Sequence, residues 1–496
     1  MPFKEKNPRV ARVTFGGQVR VSPEDVIEKV GWRGGGYQQF LLLVTCITIA
    51  SEAAEVALLS LILPHVKNEF NLTNWETDKV AMSIFAGQMF GCFVMGALAD
   101  SFGRKPCVIA ASVLVAVGGY ASALADSTTA LMVCRFAVGL GVGAAFVPVD
   151  MLAEACPDHN RTTRTQLANL SFSVGVVAIT VIGALILEPW GWRLLAFIAA
   201  LPPTVALVMA FYLDESPTWL ADVGRGAEAK RALDRICVEN TGYPLPEGIQ
   251  VVGDRETGIV TPVATMDGAE KGTAMSGGGG GDSSAWYNLA GNLVNLFRTV
   301  CLWTLAFVQT FNFYGLMLNA PVVFRVKQYA DDGVTELTNK VVFDYAAILI
   351  VNSGDLVGNF SALLALKSKT NPRSVAAACA AISVPMLFVP LVPSLNSHRW
   401  GLVFLMLIGR IPAAPIGAMS WILNAVAYPT LFRATGHGWA NAVARFGAVT
   451  ASSMYSMPAA LSIPIHALAL VAAIPAALFM PKGALEHGAP PLKGRR

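Results

Sequence analysis

The chain has 496 residues, 54% hydrophobic and 14% charged, with a mean hydropathy of +0.53. Soluble domains carry about 25% charged residues, so this composition excludes an ordinary water-soluble protein and places the chain in the membrane class. A net charge of only +3 leaves no electrostatic footprint for nucleic acid.

Residues 1–36 are polar and basic and lack the short apolar core of a cleavable signal, so a cytoplasmic tail is expected. Six apolar spans follow: Phe40–Pro64, Val80–Leu98, Val108–Leu124, Ala130–Leu152, Leu167–Leu187 and Leu194–Leu213. A polar interval over 214–298 ends in the run Ser276–Ser284, whose Gly/Ser composition is that of a flexible linker. Within the interval, Arg225–Ile236 has helical spacing, and the remainder is expected to be disordered. Six further spans are Val300–Phe324, Phe343–Leu366, Val375–Pro393, Leu402–Tyr428, Trp439–Ala460 and Ile463–Met480. The expected fold is an all-α membrane protein of twelve transmembrane helices, with bundles over 37–213 and 299–481 and a tail over 482–496. With both termini inside, about 26 of the 36 Lys and Arg fall in cytoplasmic segments, as the positive-inside rule requires. None of the eight cysteines falls in an outer loop and no spacing matches a zinc site, so no disulfide framework, metal or other cofactor is expected.

The first span carries Glu52 and Glu55 in the middle of its apolar run. Each ionised side chain near a bilayer centre costs roughly 2.5–3.5 kcal/mol on insertion scales, so both must face protein, water or a cation. Their i,i+3 spacing puts them on one helix face, where joint ionisation is costly, and one is expected to be protonated at rest.

The halves echo each other. Arg135 is followed by Gly139, Gly141 and Gly143 and by Pro157 to Arg161; Arg410 is followed by Pro412, Pro415 and Gly417 and by Pro429 to Arg433. Parallel repeats about an axis along the membrane normal are the plan of 6+6 transporters. Polar residues also fall in stripes: Gln309, Asn312 and Asn319 in span seven, and Asn352, Asp355 and Asn359 in span eight. Trp421 and Asn424 accompany Arg410 in span ten, and Asn441, Arg445 and Ser452 mark span eleven. Such stripes serve either a solute cavity or interhelical packing, and both readings stand at this point.

Between spans two and three stands Gly96-Ala-Leu-Ala-Asp100-Ser-Phe-Gly103-Arg104-Lys105, which closely resembles the signature of the major facilitator superfamily, with Ser101 in place of the usual Arg. The resemblance implies a gating latch centred on Asp100. Asp214-Glu-Ser-Pro-Thr-Trp-Leu220 is similar to the sugar-porter motif after span six, and Tyr428 to Gly438 with Ala444-Arg445-Phe446-Gly447 resembles synaptic-vesicle-2-related proteins and organic anion transporters. In sugar porters an acid at about the position of Glu52 pairs with the Arg that Arg135 matches. This resemblance implies a proton-coupling site at Glu52, Glu55 and Arg135, with a static ion pair as the alternative. Glu154 and Arg161 match a cytoplasmic gating network, to which Asp150 and Arg433 are also assigned. Anion carriers among the organic-ion transporters have an Arg where Arg445 stands, and Arg suits carboxylate recognition; Arg445 is placed two turns from the inner end of its span, where it alternatively serves the gate.

The expectation is therefore a proton-coupled secondary transporter of an organic anion, carboxylate or zwitterion, and not an enzyme. Its partners are a small-molecule substrate, H+ and membrane lipid, with no nucleic acid. It is expected to be a monomer, in the plasma membrane rather than an organelle. A sugar or organic-cation facilitator of the same fold, and a receptor that keeps the fold without transport, are the alternatives.

Overall fold

The computed structural model describes residues 13–15, 18–32, 34–253, 293–326, 341–368, 370–383, 399–427 and 433–479. Within them the chain is mostly helical. Helix α1 (Pro23–Val30) begins at Ser22, whose hydroxyl accepts from the Asp25 amide at 3.2 Å. Helix α2 (Gly36–Glu69) is apolar on all sides, as a helix enclosed by protein and lipid must be. Helix α3 (Asn74–Phe102) starts from a capping box: the Thr73 hydroxyl accepts from the Glu76 amide, and the Glu76 carboxylate accepts from the Thr73 amide at 2.9 Å. The turn into α4 (Arg104–Ala123) is made by Gly103 at φ +106°, where a Cβ would also lie 2.2 Å from Glu215 Oε2. Both constraints demand glycine there.

Helix α5 (Thr128–Val142) breaks at 143–145 and resumes as α6 (Phe146–Glu154). Helix α7 (Asp158–Ala199) turns at Gly191, φ +80°, and is followed by α8 (Leu201–Ala210). After the short α9 (Pro217–Asp222) and α10 (Gly226–Thr241), the second half comprises α11 (Leu293–Val323), α12 (Tyr345–Lys367), α13 (Pro372–Ser383), α14 (Arg399–Ala427), α15 (Arg433–Ser452) and α16 (Ala459–Leu478). Nine stretches among the described residues are long and apolar enough to cross a bilayer; one of them, Asp158–Ala210, holds both the fifth and sixth expected spans.

Two small sheets depart from the all-α expectation. Strands β1 (Val13–Phe15) and β2 (Gln18–Val21) are antiparallel, and β3 (Ile249–Val251) lies parallel to β2 with Val19 opposite Ile249. Strands β4 (Arg325–Val326) and β5 (Val342–Phe343) form the second sheet. Residues expected to be a simple tail are thus built onto the interval after span six, part of which was expected to be disordered. The helix expected over Arg225–Ile236 runs on to Thr241, where Gly242 closes it in the left-handed region. Asn240 accepts from the Gly35 amide at 2.8 Å and donates to Gln38 Oε1 at 2.8 Å, fixing α10 beneath the start of α2. The run Ser276–Ser284 lies outside the described residues.

Helix adjacency repeats between the halves. Helix α2 packs on α7 and α8, α3 on α5, and α4 on α5 and α8; correspondingly α11 packs on α15 and α16, α12 on α14, and α13 on α14 and α16. The halves meet where α7 faces α12, α3 faces α15 and α2 faces α11. Backbones approach closely at small residues, the packing expected where hydrophobicity cannot drive helices together in lipid. A Cβ on Gly87 would lie 2.2 Å from Phe136 O, and one on Gly139 would lie 2.1 Å from Ile84 O.

Gly139→Val is therefore expected to wedge α3 from α5 at a cost above the ~1–3 kcal/mol of ordinary core overpacking. Size-exclusion profiles of the detergent-solubilised variant should show little monodisperse protein, whereas a Gly96→Ala control, whose Cβ would meet Phe146 at an ordinary 3.6 Å, should remain monodisperse.

Candidate functional site

Among the described residues, Arg135, Arg410 and Arg445 each carry a guanidinium into the helical interior, and each meets a carboxylate. In the first half Arg135 on α5 holds Glu55 on α2 at 2.8 Å, both side chains fully buried, and Arg135 Nε donates to Ser122 Oγ at 3.0 Å. Gly119 gives the pair its room, since a Cβ there would lie 3.1 Å from Glu55 Oε1 and 2.9 Å from Ala200 Cβ. In the second half Arg410 on α14 holds Asp355 on α12 at 2.7 Å, again fully buried, with its guanidinium carbon 5.6 Å from the Phe313 ring centre. Arg135 and Arg410 occupy matching places on helices that match in the repeat.

The third pair crosses between the halves. Arg445 on α15 reaches Glu52 on α2 at 3.3 Å and also donates, at 3.0 Å each, to Gln88 Oε1 on α3 and the Tyr314 hydroxyl on α11. Arg445 lies about three turns into α15, in mid-helix. It stands at the head of a cavity of about 450 Å³ between the halves. Glu52, Tyr314 and Gln309 line the cavity with it, and further down so do Asn169, Asp150 and Arg161.

The cavity runs toward the end of the molecule that carries the Gly103 turn, because its lower lining comes from the end of α6, the start of α7 and the end of α12. At the opposite end the halves are joined. Asp78 near the start of α3 accepts from the Ser456 amide at 2.9 Å and its hydroxyl at 2.7 Å, and the His65 and Phe343 rings lie 5.8 Å apart. Along the seam between α7 and α12, Asn352 donates to Thr180 at 3.0 Å and Asn359 to Ser173 at 2.9 Å, while Gln166 donates to Asn359 at 3.3 Å.

At the Gly103 turn, the Glu215 carboxylate accepts from the Arg104 amide at 2.8 Å and from the Lys105 amide at 3.2 Å, capping α4. The Arg104 side chain reaches Asp100 at 3.3 Å and Glu154 at 3.6 Å, and Glu154 accepts from the Ser216 hydroxyl. Lys105 donates to the Phe211 carbonyl at 3.0 Å, and Arg161 to the Ala153 carbonyl at 3.0 Å, with Asp158 3.1 Å away.

The family model described as "Sugar (and other) transporter" matches residues 61–481. The chain belongs to this family of the major facilitator superfamily. Organic cation/carnitine transporter 7 of Arabidopsis thaliana is 25% identical over 87% of this chain and 87% of its own length. The synaptic vesicle 2-related protein of Bos taurus is 24% identical over 92% and 80%. Among solved structures, the partially occluded inward-open form of the xylose transporter XylE from E. coli superposes with a TM-score of 0.65 at 18% identity, covering 90% of this chain and all of that one. The protein is thus a multi-pass membrane transporter with the major facilitator fold.

Against that geometry several sequence expectations shift. Arg135 pairs with Glu55, not Glu52, and the two acids have separate cations. Arg445 sits beside Glu52 rather than at the gate. Of the expected cavity residues, Gln309, Asn359 and Arg445 line the cavity. Asn312 donates instead to the His466 carbonyl at 3.2 Å, Asn319 bonds Gly315 and Ser462, Asn352 bonds Thr180, and Asp355 is committed to Arg410. The side chains of Trp421, Asn424 and Arg433 lie outside the described residues. In the latch, the Asp100 carboxylate is largely exposed and Glu215 occupies the centre; a Cβ on Gly96 would make only ordinary contact with Phe146. Asp150, assigned to the gate from sequence, faces the cavity. Gln88 was missed, although a lone glutamine in the apolar second span marks it.

Removing one partner of a buried pair leaves an uncompensated charge, a loss of about 3–5 kcal/mol. Arg135→Met should therefore lower the thermal transition of the purified protein sharply, and the double variant Arg135→Met with Glu55→Met should recover most of the loss. Arg445→Met, at a site open to the cavity, should be much milder in the same assay.

Proposed function

We propose that this is a twelve-span, proton-coupled transporter that moves a small carboxylate-bearing organic solute by alternating access, seen here with its cavity open to the cytoplasm. The observation that carries the reading is Arg445, a guanidinium held across the two halves by Glu52 at the head of the cavity. A solute carboxylate arriving there competes with Glu52 for the same cation. A proton on Glu52 weakens its hold and frees Arg445 for the solute, so proton and solute load together. Once Glu52 is neutral, the ion pair across the seam is replaced by one to the solute, and the halves are free to rock about the site. Glu55 and Arg135 form a second, deeper pair on the same helix face and hold α2 against α5 while this exchange proceeds.

The inward orientation follows the charge asymmetry, since the Gly103 turn and the basic segments lie on the side that the positive-inside rule assigns to the cytoplasm. Asp78 with Ser456 closes the outer side. The opposed closure and opening are what alternating access requires of one of its end states. Outward opening then breaks the Asp78 bonds and closes the cavity mouth at Arg161 and Asp150.

Proteoliposome uptake across a panel of carboxylates, sugars, amino acids and organic cations tests the reading. Uptake of a carboxylate should rise when the outside is acidified. Glu52→Gln should abolish that response while still permitting exchange, and Arg445→Gln should weaken the carboxylate by about tenfold or more, the equivalent of about 1.4 kcal/mol. Accumulation by Glu52→Gln that still follows the pH gradient as wild type does would sink the coupling scheme, and a preference for sugars would sink the substrate class.

A further inference from the structure

Glu52 stands on the wall of two cavities. Besides the solute cavity it lines a smaller chamber of about 20 Å³ within the first half, between α2, α4, α8 and the break at 143–145. Glu52 and Ala145 are the two residues common to both walls, so they form the partition between them. The chamber has room for one water molecule, which needs about 10–15 Å³ and two to four polar partners. Its polar side chains are Glu52, Thr48, Ser51 and Ser112, and the rest of its lining is apolar. The Thr48 and Ser51 hydroxyls donate to the Val44 and Ile47 carbonyls at 2.9 and 2.7 Å, which leaves them only lone pairs to offer. Ser112 on α4 is only 5% exposed and makes no hydrogen bond among the described residues, so it has both a proton to give and lone pairs to accept. A buried hydroxyl left in that condition is costly unless something in the chamber answers it.

We propose that the chamber binds a water molecule that hydrogen-bonds Glu52 on the side away from Arg445 and accepts the hydrogen bond of its proton. This rests on the role given to Glu52 above and adds where its proton is held. Ionised Glu52 can only accept, so the water donates to it and to a Thr48 or Ser51 lone pair, and accepts from Ser112. Once Glu52 is protonated the water turns: it accepts from the carboxyl O–H and donates to two of the hydroxyls. Glu52 therefore keeps a partner in either state. Its proton points into the first half while the solute carboxylate takes Arg445 on the other side of the partition. A metal cation does not suit the chamber, because Arg445 already neutralises Glu52 and no other charged side chain lines it.

The first test is a density map of the detergent-purified full chain at a resolution that shows ordered water. It should hold a peak in the chamber within about 2.5–3.2 Å of both a Glu52 oxygen and Ser112 Oγ. The peak should persist when sodium and potassium are replaced by choline. Its loss in choline makes it a cation and overturns the proposal, as does a chamber with no peak or a peak out of reach of Glu52. Infrared difference spectra between neutral and acid pH then read the proton. The carbonyl stretch of protonated Glu52 is the band that Glu52→Gln removes, and it should lie at the lowered frequency of a hydrogen-bonded acid. Ala206→Val fills the chamber and should raise the band most of the way to that of a free acid. Ser112→Ala, which removes one partner of the water, should raise it by a smaller step. A wild-type band already at the free-acid frequency, no Glu52 band at all, or a band that neither substitution moves overturns the proposal. If neither variant survives purification, the wild-type map and band decide. Failure here is separable from failure of the coupling scheme. pH-driven uptake with no peak beside Glu52 refutes the water alone. A water-bound Glu52 that takes up a proton, with uptake in proteoliposomes that ignores pH, refutes the coupling alone.

Discussion

A guanidinium in an apolar interior has to be matched, and the rest of this molecule is arranged around three such matches. Two of them, Arg135 with Glu55 and Arg410 with Asp355, are sealed within one half each. They are fully buried, and none of the four residues lines the cavity. The third, Arg445 with Glu52, is the one that is open to the cavity and the one that joins the halves. A pair that is buried only in part can be broken at a tolerable cost, because water or a solute replaces the lost partner; a fully buried pair cannot. Burial thus separates three chemically similar pairs into two that are sealed and one that is open to the cavity.

The same division holds for the polar stripes. Asn312 and Asn319 bind within the second half, and Asn352 and Asn359 bind across the seam to α7. Hydrogen bonds of this kind are worth about 0.6 kcal/mol each in membrane helices. A seam built from several weak bonds, with Asp78 and Ser456 at one end, can be parted and remade, unlike one built from fully buried charge pairs.

Much of this was legible in sequence, for a physical reason: charge is so costly in lipid that every acid and arginine in an apolar run announces itself. Glu52, Glu55, Arg135, Asp355, Arg410 and Arg445 all stood out in that way. Who pairs with whom did not follow. Glu52 and Glu55 are only about 60° apart around their helix. Which of them faces α5 is set by how far α2 is rotated, and that depends on contacts with other helices such as Gly175 of α7 against the Ala50 carbonyl. A stripe on one helix face likewise shows that the face is partnered without showing what the partner is, which is why four of the span-seven and span-eight residues proved to be packing or pairing groups. Strands β1, β2 and β3 left almost no trace, being three or four residues long, with β3 separated from its partner β2 by the whole first bundle.

The parallel pairing of β2 with β3 also bears on how the molecule is made. Strand β2 precedes the first bundle in the chain, and its partner follows it, so the N-terminal segment waits unpaired until the whole first bundle has been made. When Val19 meets Ile249, and Asn240 meets Gly35, the chain closes into a loop around that bundle. The clasp can form only if the intervening helices have crossed an even number of times and brought both ends to the same side. It is completed only when both ends of the first half lie on one side.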